Sequence, residues 1–160
     1  MSMERVNLII SNLFFQEAIN KIEILEQDRI FCKHNIEHLM SVARIMMLIN
    51  IENQYMFNKE LIYATALLHD IGRVKEYENE VPHALASAEL AEVILKSCNF
   101  NLEEIRLITS AIAGHNSIGS SSKFGELLKT SDKLSRNCFA CSAINQCKWS
   151  KERLNETIKV

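Results

Sequence analysis

Five histidines and three aspartates are the residues of this chain best suited to chemistry, and their placement says more than their number. His34 and His38 stand four apart, one helical turn on the same face, so both can point into one pocket. His69 and Asp70 are adjacent at the close of a strongly apolar stretch. A charged carboxylate there is costly unless something positive satisfies it, and a cation is the obvious candidate. His83 opens the next helical stretch, His115 follows the last turn of another, and Asp132 interrupts a leucine-lined one. Imidazole with carboxylate is the donor set that divalent Mn, Fe, Co, Ni and Zn prefer. Taken alone, His34 reads as an ordinary structural histidine, and Asp28, in the run Gln27-Asp28-Arg29, as a solvated turn residue.

The elements that must position these groups are helices, because apolar residues recur at three-to-four-residue spacing and no alternating run flanked by turn residues stands out. A first stripe is Ile10, Phe14, Ala18, Ile22 and Leu25; a second is Ile36, Leu39/Met40, Ala43 and Met47. A third runs from Asn58, an N-cap, through Leu61, Ala64 and Leu68 to Gly72, read as a left-handed residue closing the helix. It is apolar on almost every side and belongs at the centre of a bundle. A fourth follows Pro82 with Ala84, Ala88, Ala91 and Leu95. A fifth opens with Asn101 and Glu104 in capping-box spacing, continues through Ile105, Ile108 and Ile112, and stops at Gly114. The segment Asn116 to Ser122 reads as a loop, with a lid or selector as its functional alternative, and a sixth helix carries Phe124, Leu127/Leu128 and Leu134. The expected fold is all-α, a compact bundle of about six helices. It forms one domain over 1–160, with 1–29 packing on a core of 30–136 and 137–160 as a cysteine-containing tail.

Three strings carry a family resemblance: His38-Leu39-Met40-Ser41-Val42-Ala43-Arg44, Ala66-Leu67-Leu68-His69-Asp70-Ile71-Gly72-Arg73 and Asp132-Lys133-Leu134, with Pro82-His83 and Gly114-His115 between the last two. Together they resemble the HD-domain metal-dependent phosphohydrolase superfamily over roughly residues 30 to 136. The Ala-Leu-Leu-His-Asp-Ile-Gly segment is specific where His-Asp alone would not be. The resemblance implies a helical HD core and a basic ligand set of His38, rather than His34, with His69, Asp70 and Asp132. Subfamilies with two more histidines before the last Asp hold two metals, and His83 and His115 occupy those places. The pattern is similar to small hydrolases that cleave diadenosine tetraphosphate symmetrically and to cyclic-dinucleotide phosphodiesterases, although the extended Gly-Tyr-Pro signature of the latter is missing.

The chemistry implied is hydrolysis of a phosphate ester or anhydride, expected to be that of a nucleotide, with Asp70 bridging two cations. Two metals ~3.5 to 4 Å apart lower the pKa of a shared water from about 15.7 toward ~7 and offset charge on phosphoryl oxygens. The cofactor is one or two ions of Mn, Fe, Co, Ni or Zn. Arg73 and Lys133, each beside a ligand motif, are the candidates for phosphate contact, one as a planar fork and the other as a point charge. His34 is a proton donor, a further ligand or an outer hydrogen-bonding residue. The rival reading is a regulatory protein that keeps the fold and binds a nucleotide without turnover; a third is a metal-independent helical interaction module.

Composition bounds the rest. In 160 residues, 18 Lys and Arg oppose 20 Asp and Glu, a formal charge of −2, so bulk nucleic-acid binding is not expected. The apolar run Ile45-Met46-Met47-Leu48-Ile49 is far short of the ~20 residues that cross a bilayer, and no secretory leader is read at the N-terminus. Five cysteines are an odd number, expected as thiols or ligands in a cytoplasmic protein. Cys138, Cys141 and Cys147 form C-x2-C-x5-C, with Cys32 as a candidate fourth ligand, the pattern of a second centre for zinc or an iron-sulfur cluster. Cys98 reads as core. The first apolar stripe is long enough to pair with a second copy in a homodimer or to cover its own core.

Overall fold

The computed structural model describes residues 3–116 and 122–159, and all the regular structure among them is helical. Eight α-helices follow one another: α1 Glu4–Ser11, α2 Leu13–Leu25, α3 Ile36–Glu52, α4 Lys59–Leu68, α5 Arg73–Asn79, α6 His83–Ser97, α7 Leu102–Gly114 and α8 Lys123–Leu134. Three short 3-10 turns, Cys138–Ala140, Ile144–Gln146 and Lys151–Arg153, close the chain. Helix α4 lies at the centre, with Ile62, Ala64, Thr65, Ala66, Leu67 and Leu68 all buried, and packs on α3, α7 and α1. Among the described residues no helix is long and apolar enough to cross a membrane.

Side-chain caps set most of the starts. Asn35, Asn58 and Ser122 each accept a backbone N–H from the first turn, and Asn101 with Glu104 completes a reciprocal capping box. Each such cap is worth ~1 kcal/mol. Arg5 ties α1 to the core. Its Nε lies 2.7 Å from Glu60 Oε2 and its Nη1 2.7 Å from Glu104 Oε2, with the guanidinium 4.4 Å from the centre of the Phe100 ring.

Three sequence expectations are corrected. The first apolar stripe is two helices, because Asn12 turns extended (φ −71°, ψ 130°) and accepts from Phe14 N and Phe15 N. The break resets the helical phase, so Phe15, Ala18, Ile19 and Ile22 are buried while Phe14 and Leu25 face solvent. A helix not expected at all, α5, has no buried residue and therefore no apolar period to read. Gly72 is not left-handed: its φ is −77°. A Cβ there would lie 2.2 Å from Ser87 N and 2.5 Å from His83 O, so glycine is required by the close passage of α6. The Gly72 N–H donates to Ser87 Oγ at 2.8 Å, which clamps the turn after α4 against the start of α6.

The tail returns to α8. Asn155 Nδ2 donates to the carbonyls of Lys133 (2.7 Å) and Arg136 (3.0 Å), and its own carbonyl accepts from Phe139 N at 3.0 Å. Trp149 is flanked by the guanidinium groups of Arg136, at 4.7 Å, and Arg153, at 5.3 Å.

Candidate metal centre

Each element delivers its candidate ligand from an end or an inward face. Asn35 caps α3 by accepting the His38 N–H at 3.1 Å, which fixes His38 in the first turn. His69 is the residue capping α4, and the Arg73 N–H donates to the Asp70 carbonyl at 3.0 Å, holding the turn that follows. His83 opens α6, His115 caps α7 and Asp132 sits in the last turn of α8.

These six residues form two groups that share Asp70. On one side, Asp70 Oδ2 lies 3.2 Å from His69 Nε2 and 3.5 Å from His38 Nε2, and Asp132 Oδ1 lies 3.4 Å from His38 Nε2 and 3.8 Å from His69 Nε2. On the other, Asp70 Oδ1 lies 3.4 Å from His83 Nε2 and 4.0 Å from His115 Nε2. In each group the donor atoms fall within 4.8 Å of one another. Asp70 is almost wholly buried, with one carboxylate oxygen for each group.

The histidines are oriented from behind. His69 Nδ1 donates to the Ala66 carbonyl (2.7 Å), His115 Nδ1 to the Ile112 carbonyl (2.6 Å) and His83 Nδ1 to Glu76 Oε1 (2.8 Å). His38 Nδ1 lies 3.3 Å from Ser135 Oγ, whose hydroxyl donates to the Asp132 carbonyl. With each of these Nδ1 atoms facing an oxygen, the Nε2 atoms of His38, His69 and His115 are left for the shared space, the arrangement that metal-binding histidines use, while His83 Nε2 also meets Asn116 Nδ2 at 2.6 Å. His38 Nε2, His69 Nε2 and Asp70 Oδ1 are buried without a hydrogen-bond partner. Orphaned buried polar atoms cost ~1 to 3 kcal/mol each, and a divalent ion accepting all three would remove that cost. The residues present therefore fit a hard or borderline cation with nitrogen and oxygen ligands.

Without an ion the protons are shared tightly. Burial opposes charge on His69, yet the Asp70 and Asp132 carboxylates hold its pKa up at about 10. Burial would raise Asp70, but His69 and Arg73 pull it well below the usual carboxylate range. Asp132 is likewise brought down to about 2, against burial, by the nearby His69 ring and its charge. Burial, and then the neighbouring His69 charge, push His115 down to about 4.

The remaining candidates divide. His34 is at the site: its Nε2 lies 3.9 Å from Asp70 Oδ2 and its ring stands edge-on to His38. It belongs to neither ligand group. Arg73 is there too, but Nε lies 3.1 Å from Asp70 Oδ1 and Nη1 3.1 Å from Glu76 Oε2, so its fork faces carboxylates. Lys133 is exposed beside Asp132 and Asp28 is exposed at a turn. Cys98 is buried. Burial, and then Cys138, raise the pKa of Cys32. Cys32, Cys138, Cys141 and Cys147 form no ligand group among the described residues. Cys138 is turned into the core from one 3-10 turn, while Cys32 is exposed before α3. Of the loop from Asn116 to Ser122, residues 117–121 lie outside the described residues; Asn116 Nδ2 approaches His83 Nε2 at 2.6 Å.

Sequence reasoning missed Glu26, Glu76 and Tyr77. Glu26 accepts from the His34 backbone and ring and from Tyr77, which brings its pKa down to about 2 against its burial. No signal in the acidic run around Glu26 separates it from solvated neighbours, whereas Glu76, seven residues before His83, is near enough in sequence to have been considered.

The model of the family described as HD domain matches residues 35–137. A protein of Clostridium beijerinckii, named only as uncharacterized, is 43% identical over 153 residues, spanning 96% of this chain and 97% of that one. A crystal structure of a predicted HD superfamily hydrolase from an uncultured Thermotogales bacterium superposes with a TM-score of 0.62 at 24% identity, covering 88% of this chain and 80% of the other.

Proposed function

The chain belongs to the HD-domain family, and from that premise we propose that it is a metal-dependent phosphohydrolase acting on a phosphate ester or anhydride of a nucleotide. The observation that carries this reading is the pair of ligand groups sharing Asp70, with His38 Nε2, His69 Nε2 and Asp70 Oδ1 buried and unpartnered. His38, His69, Asp70 and Asp132 would hold one divalent ion, and Asp70, His83 and His115 a second. Bound there, Mn, Fe, Co, Ni or Zn supplies a water of lowered pKa and Lewis acidity toward phosphoryl oxygens.

The protein's own residues do the rest. His34 Nε2, beside Asp70, takes the proton of the attacking water as the new O–P bond forms, and the leaving oxygen takes a proton from solvent as the old P–O bond breaks. Arg73 sets a positive charge against Asp70, and Lys133, exposed next to Asp132, offers a mobile ammonium to the phosphate. Five free thiols suit a reducing cytoplasm.

The test is metal analysis of purified protein together with phosphate release from nucleoside mono-, di- and polyphosphates in added Mn, Co or Fe. One to two equivalents of metal per chain and turnover are expected, both lost in Asp70→Ala. Tight nucleotide binding with no phosphate released by the metal-loaded protein would replace the hydrolase with a nucleotide sensor.

A further inference from the structure

Glu26 lies at the C-terminal end of α2 and is 2% exposed, an unusual place for a carboxylate with no lysine or arginine paired to it among the described residues. Three donors meet it instead. The His34 backbone N–H donates to Oε2 at 2.7 Å, while the His34 ring and the Tyr77 hydroxyl both reach Oε1 at 2.5 Å. An ionised carboxylate only accepts, so the hydrogen in the ring contact belongs to His34 Nδ1. The imidazole is thereby fixed in rotation and tautomer, with Nε2 turned toward Asp70 Oδ2, 3.9 Å away. That distance is beyond a hydrogen bond, and His34 stands outside both ligand groups. The side chain is thus built to meet something that enters beside Asp70.

We infer that Glu26 and Tyr77 are positioning residues: they lock His34 as the Nδ1–H tautomer, so that Nε2 is presented to the substrate rather than to the metal. The inference rests on the hydrolase reading for what His34 meets, and on the contacts alone for how it is held. Three elements take part: the end of α2 supplies Glu26, α5 supplies Tyr77, and the segment before α3 supplies His34. Helix α5, which contributes nothing to the core, gains a purpose from this.

The test uses Glu26→Gln and Tyr77→Phe, both nearly isosteric. The first replaces one of the two accepting oxygens with an NH2 group, leaving three donors for a single acceptor. Long-range proton–nitrogen correlation spectra of the metal-free protein report the His34 tautomer directly. The wild type is expected to show Nδ1–H, and Glu26→Gln to lose that preference. With metal restored, Glu26→Gln should keep its metal content and KM while kcat falls ~10- to 100-fold, the range found when an outer partner of a site histidine is removed. Tyr77→Phe, which deletes one hydroxyl from a partly exposed ring, should show a smaller loss of the same kind and serves if Glu26→Gln does not fold. Unchanged tautomer and turnover would overturn the inference, and so would loss of metal in step with kcat, which would make the pair a support of the ligand shell. A wild type inert on every phosphate compound would sink the hydrolase reading, while the tautomer of Glu26→Gln would still decide whether Glu26 holds His34.

Discussion

Arg73 Nε lies 3.1 Å from Asp70 Oδ1, the same oxygen that faces His83 and His115. The contact lacks hydrogen-bond geometry and acts through charge. An ion held by the second group would therefore compete with the guanidinium for one oxygen. Arg73→Met is expected to tighten binding of the second metal equivalent about tenfold, corresponding to ~1.4 kcal/mol, while lowering kcat through loss of the cation. Calorimetric titration of Mn into the chelator-treated variant checks the first part, and His115→Ala in the same background assigns the site.

Glu76 stands behind His83 much as the Ala66 carbonyl stands behind His69, through a 2.8 Å bond to Nδ1. Glu76→Gln retains the shape but loses the carboxylate that holds His83 through Nδ1. Affinity for the second equivalent should fall ~10- to 100-fold with the first unaffected, as read by metal analysis across a chelator series.

The metal-free protein should be most stable near pH ~6 to 7. His69, raised to about 10 from an ordinary value of 6.5, contributes stability that is complete below the lower value and fades as pH rises through the upper one. His115, lowered to about 4, is kept neutral by the fold, so stability declines as pH falls from about 6.5 through 4, by at most ~3 kcal/mol. Thermal melts of chelator-treated protein should show both arms. In metal-loaded protein the alkaline arm should disappear, because the cation takes the place of the His69 proton and uptake releases it. An unchanged alkaline arm after loading would place the ion elsewhere.

Gly72 sets the distance between the His69-Asp70 pair and the start of α6. Gly72→Ala would force a methyl against Ser87 N and the His83 carbonyl, displacing the helix that carries His83. A loss of ~2 to 3 kcal/mol in denaturant unfolding is expected, accompanied by loss of the second metal equivalent. Retention of two equivalents at wild-type affinity would contradict this geometry.

The helical fold and the identity of the converging residues were legible because both leave marks in residue types: apolar spacing, asparagine caps, and histidines and aspartates at helix ends. What orients the ligands was largely not legible. His69 and His115 are held by the carbonyls of Ala66 and Ile112, and a carbonyl carries no trace of itself in the side-chain sequence. Helix α5 escapes notice because it buries nothing, and Glu26 because a carboxylate recruited by a distant tyrosine looks like any surface acid. Gly72 stands out for the wrong reason, since a glycine demanded by a crossing helix and one demanded by a left-handed turn are the same letter. The thiol spacing of Cys138, Cys141 and Cys147 has no counterpart in a ligand group among the described residues, because the 3-10 turns direct Cys138 inward and leave the other two half-exposed.

Asn155 fastens the tail to the Lys133 carbonyl, one residue beyond Asp132 in the last turn of α8, and to the Arg136 carbonyl just past the helix end. The closing turns of the chain thereby act as a latch on the aspartate that completes the first ligand group, and clipping them would let that helix end fray. The lone indole of the chain, gripped by Arg136 on one side and Arg153 on the other, straddles the latch. Its fluorescence is a native gauge of whether the strap is fastened.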